Sequence, residues 1–328
     1  MNVIDMHCDT LSVLLQKEKQ GEEADIGQND LMVDLNRMRN SGYMLQTFAA
    51  FIHAGSVENP LESCLELIDL FERQMETYSA WIRPVRSYQD IAQNQEEGRM
   101  SALLSVEEGG ACKGNPAFLR TLYRLGVRMM TLTWNFENEL AYPNRSMPEH
   151  PHGMTADTEN GVKEKGFEIL AEMERVGMII DVSHLSDAGI WDVLRHTSSP
   201  VIASHSNARS VCPHCRNLTD DMIRAMAERG GVAGINYCGA FLDTDGRGGQ
   251  PGAVADIAKH IRYLVNLGGE DFVGLGSDFD GIDLAPEIGG CEGLPRLADE
   301  LSKNGFTQRQ LEKIFYRNVL RVLEDVLK

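Results

Sequence analysis

Eight short, almost continuously apolar runs recur along this chain of 328 residues, at 3–8, 44–52, 102–106, 128–133, 178–182, 201–204, 232–237 and 272–275. Unbroken apolar character is what a parallel strand covered on both faces requires. Segments with helical spacing separate them, at 30–38, 60–81, 88–95, 116–125, 162–174, 187–194, 219–228 and 254–267, and two helices finish the chain. Thr307 and Gln310 have capping-box spacing for the last of these, over 308–327. Strand–helix alternation repeated eight times predicts an α/β fold, a (β/α)8 barrel built as a single domain from residues 1–328. The competing doubly wound sheet lacks its phosphate cradle. No Gly-x-Gly-x-x-Gly follows the first run, and Gly274-Leu275-Gly276 leads into Asp278 instead of a helix.

A barrel of this kind places catalytic groups at the C-terminal ends of its strands. Ionisable residues stand at five of the eight run ends. The first ends in His7 and Asp9, which an extended strand puts on one face. The third ends in Glu107-Glu108, the fifth in Asp181-Val182-Ser183-His184, the sixth at His205, and the eighth in Asp278-Phe279-Asp280. Singly, each has a bland reading. His184 and His205 suit satisfied core histidines, Glu107-Glu108 an exposed turn, and Asp278 or Asp280 a helix cap. Together, carboxylates converging on one mouth repel one another unless a cation lies among them. Three imidazoles and two carboxylates exceed the three protein ligands of one catalytic zinc. Two ions use them all: His7 and Asp9 on one, His184 and His205 on the other, and a glutamate of the Glu107-Glu108 pair across both. Such pairs, about 3.5–4 Å apart, generate hydroxide near neutral pH and polarise a carbonyl. Zinc suits the histidine-rich set, while manganese, iron and cobalt remain admissible.

A net charge of −18 argues against nucleic acid or an anionic membrane surface as partner. No apolar run reaches the roughly 20 residues of a membrane span. No basic flank with an apolar signal core opens the chain, so a cytoplasmic location is expected. Seven cysteines at scattered positions do not form a disulfide framework. Cys212-Pro213-His214-Cys215 has redox spacing but lies late in the chain, and it reads as loop thiols. The turn-rich stretch 141–160 carries His150 and His152, read as solvated loop residues.

The ordered motifs His7-Cys8-Asp9-Thr10, Val106-Glu107-Glu108-Gly109-Gly110, Thr131-Leu132-Thr133-Trp134-Asn135, Ile180-Asp181-Val182-Ser183-His184, Ser204-His205-Ser206, Cys215-Arg216-Asn217 and Gly276-Ser277-Asp278-Phe279-Asp280-Gly281 give the chain a relative. It resembles the membrane (renal) dipeptidase family of the metal-dependent amidohydrolase superfamily, from Ile4 to the last helix. That resemblance implies a barrel with two zinc ions held by His7, Asp9, His184 and His205, with Glu107 and not Glu108 as the bridge. It implies Asp278 as the acid/base beside a bridging hydroxide and Arg216 as a substrate-binding arginine. Trp134 stands where mammalian members carry a substrate-contacting histidine, a replacement shared by bacterial-looking relatives. The implied reaction is hydrolysis of dipeptides, with a D-residue admitted in second place, and the implied assembly is a homodimer. The family's membrane anchor is not carried over. Two other expectations compete: deacylation of N-acyl-D-amino acids on the same scaffold, and a non-catalytic metal-binding module.

Overall fold

The computed structural model describes residues 1–146, 153–242 and 250–328, so His150 and His152 lie outside the described residues. Among these residues, eight parallel strands close a barrel. They are β1 (Val3–Asp5), β2 (Tyr43–Phe51), β3 (Met100–Glu107), β4 (Val127–Thr131), β5 (Ile179–Asp181), β6 (Ile202–Ala203), β7 (Val232–Ile235) and β8 (Val273–Leu275). Each strand pairs with its successor, and β8 returns to β1 with Asp5 opposite Leu275. Helices cover the outside, so the strands are buried on both faces, and that burial is why their sequences are apolar throughout. The interior is narrow. A Cβ on Gly276 would lie 1.7 Å from the Ser204 carbonyl oxygen, so only glycine fits there.

The lower end of the barrel is packed shut. Met6, Leu45, Leu103, Met129, Ile179 and Ile202 form one apolar cluster with the last helix, Asn318–Val326. That helix contributes Val319, Val322, Leu323 and Val326, all buried, and each such side chain contributes roughly 1.5–3 kcal/mol. The chemistry is thereby confined to the opposite, C-terminal mouth.

Several details differ from the sequence reading. Regular pairing in β1 stops at Asp5. The chain remains extended to Cys8, which bridges Phe279, and then turns into a helix over Thr10–Gln20 that the sequence reading does not contain. Asp9 therefore sits at a helix entry (φ −102°, ψ 15°) instead of on a strand face. The helix expected over 60–81 ends at Thr77, and Ile82–Pro84 forms a further strand beside the first half of β3. The expected last helix is broken by a π turn at Lys313–Arg317, after which the buried Asn318 amide donates to the Glu270 and Val273 carbonyls at 2.9 and 2.8 Å. Arg145–Ser146 and Met154–Thr155 pair as an antiparallel ribbon within the stretch read as a loop. No disulfide is formed among the described residues, and burial pushes the Cys215 thiol up to about 11.

One buried histidine fastens the outer helix to the mouth. His260, on the helix Val254–Gly268, accepts the Ala208 N–H at 3.1 Å through Nδ1, and its Nε2 donates to the Leu242 carbonyl at 3.1 Å. Burial lowers its pKa to about 4. Its folded value lies below its unfolded one, so the stability it contributes is complete above about pH 6.5 and is lost as pH falls toward 4. Urea unfolding of the metal-free protein should show His260→Gln losing about 2 kcal/mol less than wild type between pH 7.5 and 5. Equal losses would mean that His260 titrates alike in both states.

Candidate metal centre

At the end of β3, the Glu107 carboxylate divides its two oxygens between two groups of histidines. Oε2 lies 3.3 Å from His7 Nε2. Oε1 lies 3.0 Å from His184 Nε2 and 3.5 Å from His205 Nε2. On the first side, His7 Nε2 is also 3.3 Å from Asp9 Oδ2 and 3.8 Å from Asp278 Oδ1. The structure thus brings together all five residues read as ligands, together with Asp278. Glu108, the alternative to Glu107, turns away from them. Its carboxylate accepts from Gly110 N (2.8 Å), Trp134 N (3.1 Å) and the Asn138 amide.

The hydrogen bonds around the imidazoles show what the cluster is built to hold. His184 Nδ1 donates to Asn135 Oδ1 at 2.8 Å, and His205 Nδ1 is 2.8 Å from Ser204 Oγ. His184 thus carries its proton on Nδ1, and with His205 in the same tautomer both Nε2 atoms are bare. Those two lone pairs face each other across 2.8 Å. Burial lowers the His184 pKa to about 4 and that of His205 well below the usual range, so both rings are neutral near neutral pH. Two opposed lone pairs beside a carboxylate oxygen call for a cation, and neutral imidazole is the form that ligates one.

The other half carries excess negative charge. Burial opposes the charged form of His7, yet Glu107 and Asp9 together hold its pKa well above the usual range. Among the described residues, Asp9 Oδ1 is buried without a hydrogen-bond partner. Gly281 leaves the Asp9 carboxylate its space, since a Cβ there would lie 2.0 Å from Oδ2. An orphaned carboxylate oxygen, bare imidazole nitrogens and a two-sided glutamate make a donor set that fits two divalent ions.

Asp278 lies at the rim of this cluster. Burial, opposed by His7 and reinforced by Asp9 and Glu107, raises its pKa to about 7. Its second oxygen accepts the Asn236 amide at 2.8 Å. Asn236 is itself fixed, because its Oδ1 accepts the Cys238 N–H at 2.7 Å. Among the described residues, five non-glycine positions have positive φ, and four of them border the centre: Glu108, His184, Asp278 and Asp280. Backbone strain of order 1–3 kcal/mol per residue collects at functional sites.

A cavity of about 640 Å³ opens above the centre. Trp134 forms one wall, its ring centroid 5.0 Å from those of Phe51 and His53. Arg216 forms another and is 5% exposed. Among the described residues its guanidinium has only long contacts, 3.4 Å to Ser206 Oγ and 3.5 Å to the His205 carbonyl, and its Nε has no partner there. The sequence reading missed Asn135, Asn236 and the Phe51–His53 wall. Asn236 had a usable signal, as a polar residue inside the apolar run 232–237.

A parallel barrel with this donor set at its C-terminal mouth defines a metal-dependent hydrolase. Residues 1–328 match the family described as membrane dipeptidase, peptidase family M19. The chain belongs to that family and is a metallo-dipeptidase by class. An uncharacterised protein of Klebsiella pneumoniae is 37% identical over 269 residues, covering 82% of this chain and 97% of the relative. A dipeptidase of Aspergillus oryzae is 34% identical over 307 residues, covering 90% of this chain and 70% of its own. The crystal structure of a Rhodobacter sphaeroides metallopeptidase, liganded with a phosphinate mimic of L-Ala-D-Ala, superposes with a TM-score of 0.88 at 25% identity, covering 99% of each chain. Among the described residues, no helix is long and apolar enough to cross a membrane.

Proposed function

We propose that the chain hydrolyses free dipeptides with two zinc ions, one held by His7 and Asp9, the other by His184 and His205, with Glu107 shared between them. The observation that carries this reading is the division of the Glu107 oxygens between the two histidine groups. Two such ions, when bound, supply hydroxide near neutral pH and polarise the scissile carbonyl. The protein's residues do the rest. Asp278, whose Oδ1 lies 3.8 Å from His7 Nε2, takes a proton through that oxygen and delivers it to the departing amine. The Asn236 amide holds Oδ2, so the other oxygen faces the reacting atoms. Arg216 receives the substrate carboxylate, because a buried guanidinium without a carboxylate partner among the described residues is matched by one. Trp134 and Phe51 exclude water above the reacting bond. Asp280 and Asp283 line the same cavity and favour a free substrate ammonium.

A D-residue in second place is part of this reading, supported by the L-Ala-D-Ala mimic bound in the Rhodobacter relative. Arg216→Ala should raise KM for L-Ala-D-Ala about 10- to 100-fold with a smaller change in kcat, the size of a charge-assisted hydrogen bond. C-terminal amidation of the substrate should cost wild type a similar factor and cost the variant little. An amide penalty as large in the variant would remove Arg216 from carboxylate binding. N-acetyl-D-alanine turned over faster than free dipeptides would favour the deacylase reading.

A further inference from the structure

Beneath the centre lie two buried carboxylate–serine clamps of the same design. Asp5, at the end of β1, accepts the Ser277 N–H at 2.9 Å and the Ser277 hydroxyl at 2.5 Å. Asp181, at the end of β5, accepts the Ser204 N–H at 2.9 Å and the Ser204 hydroxyl at 2.5 Å. Each clamp joins two neighbouring strands, β1 to β8 and β5 to β6, and each strand carries one residue of the centre just beyond it. Both aspartates are fully buried.

The clamps differ in what else the serine meets. Ser204 Oγ also meets an imidazole, His205 Nδ1 at 2.8 Å, and the Ser183 hydroxyl at 3.2 Å, which itself accepts the His205 N–H, whereas the further contacts of Ser277 Oγ are backbone groups, the His7 carbonyl and the Phe279 N–H. Asp181 can only accept. Thr131 Oγ1, Ser183 N, Ser204 N and Ser204 Oγ all donate to it. The one hydroxyl proton of Ser204 is therefore committed to Asp181, and Ser204 Oγ can only accept from His205. His205 must then carry its proton on Nδ1 and leave Nε2 bare toward Glu107.

We propose that Asp181, acting through Ser204, is a positioning residue that selects the metal-binding tautomer of His205. This rests on the reading of His205 as a ligand. The Asp181→Asn change keeps size and shape but turns a donor toward Ser204. The serine hydroxyl then swings to donate to His205 Nδ1, and the imidazole proton moves to Nε2, where it blocks the ion. Asp5→Asn disrupts a matching clamp without touching an imidazole, so it separates tautomer control from loss of a buried clamp. Outer partners of ligating histidines are commonly worth about 10- to 100-fold in metal affinity.

The test has two readouts. In metal-free protein labelled with 15N-histidine, with His205 assigned by its loss in His205→Gln, wild type and Asp5→Asn should show Nδ1–H, and Asp181→Asn should show Nε2–H. In a zinc competition titration, Asp181→Asn should bind one of the two ions about 10- to 100-fold more weakly, while Asp5→Asn binds both as wild type does. Asp181→Asn retaining Nδ1–H, or Asp5→Asn losing the same ion to the same degree, overturns the proposal. Ser204→Ala against Ser277→Ala repeats the comparison should Asp181→Asn fail to fold. Only Ser204→Ala should weaken one ion, and equal weakening overturns the proposal. A wild type that binds no zinc yet shows the expected tautomers would instead defeat the metal reading itself.

Discussion

In the proposed two-zinc centre, Glu107→Ala should remove both ions and the dipeptidase activity together, with a loss on the order of 10⁴-fold or more, because a hydroxide supplied by two ions would depend on both. Among the described residues, Glu107 is the one side chain whose oxygens face both histidine groups. Burial alone would push its pKa up, but His7 and His184 outweigh burial and hold it well below the usual range. It is ionised at any working pH and offers full charge to both sides. Glu107→Gln sharpens the expectation. The amide keeps one carbonyl oxygen and places a donor where the second oxygen was, so about one ion per chain should remain. Zinc content by mass spectrometry, measured alongside L-Ala-D-Ala turnover, decides. Two ions retained in Glu107→Ala would remove the bridging role.

Asp278→Asn should have the opposite signature. Both ions should stay, KM should change little, and kcat should fall about 10²- to 10⁴-fold, the usual contribution of a positioned acid/base. The distinction matters because geometry alone leaves a second option. His7, Asp9 and Asp278 also lie close enough together to hold one ion. The Asn236 amide occupies the second oxygen of Asp278 and leaves one oxygen toward the centre, which favours a proton carrier over a ligand. Loss of one zinc in Asp278→Asn would reverse that assignment.

The barrel was legible because buried parallel strands must be apolar along their whole length, and the eight runs have that character. The convergence of His7, Asp9, Glu107, His184 and His205 was legible because charged residues seldom end an apolar strand without a reason. What escaped was set by neighbours distant in the chain. Thr10–Gln20 follows the first run with no intervening breaker, so its start is fixed by the Asp9 turn and by the contacts of Met6 with Leu275 and of Asp9 with Phe279. Asn135 and Asn236 carry no charge, and their importance appears only when His184 and Asp278 are found 2.8 Å away. Asp181 belongs to a motif visible in the chain, but its link to His205 runs through Ser204, 23 residues on.

Anomalous diffraction at the zinc edge, from crystals of zinc-loaded protein, tests the shared-carboxylate centre most directly. Two peaks are expected about 3.5–4 Å apart, one beside His7 and Asp9 and one beside His184 and His205, with a Glu107 oxygen on each. A single fully occupied peak, or two peaks with Glu107 bound to only one, would contradict it.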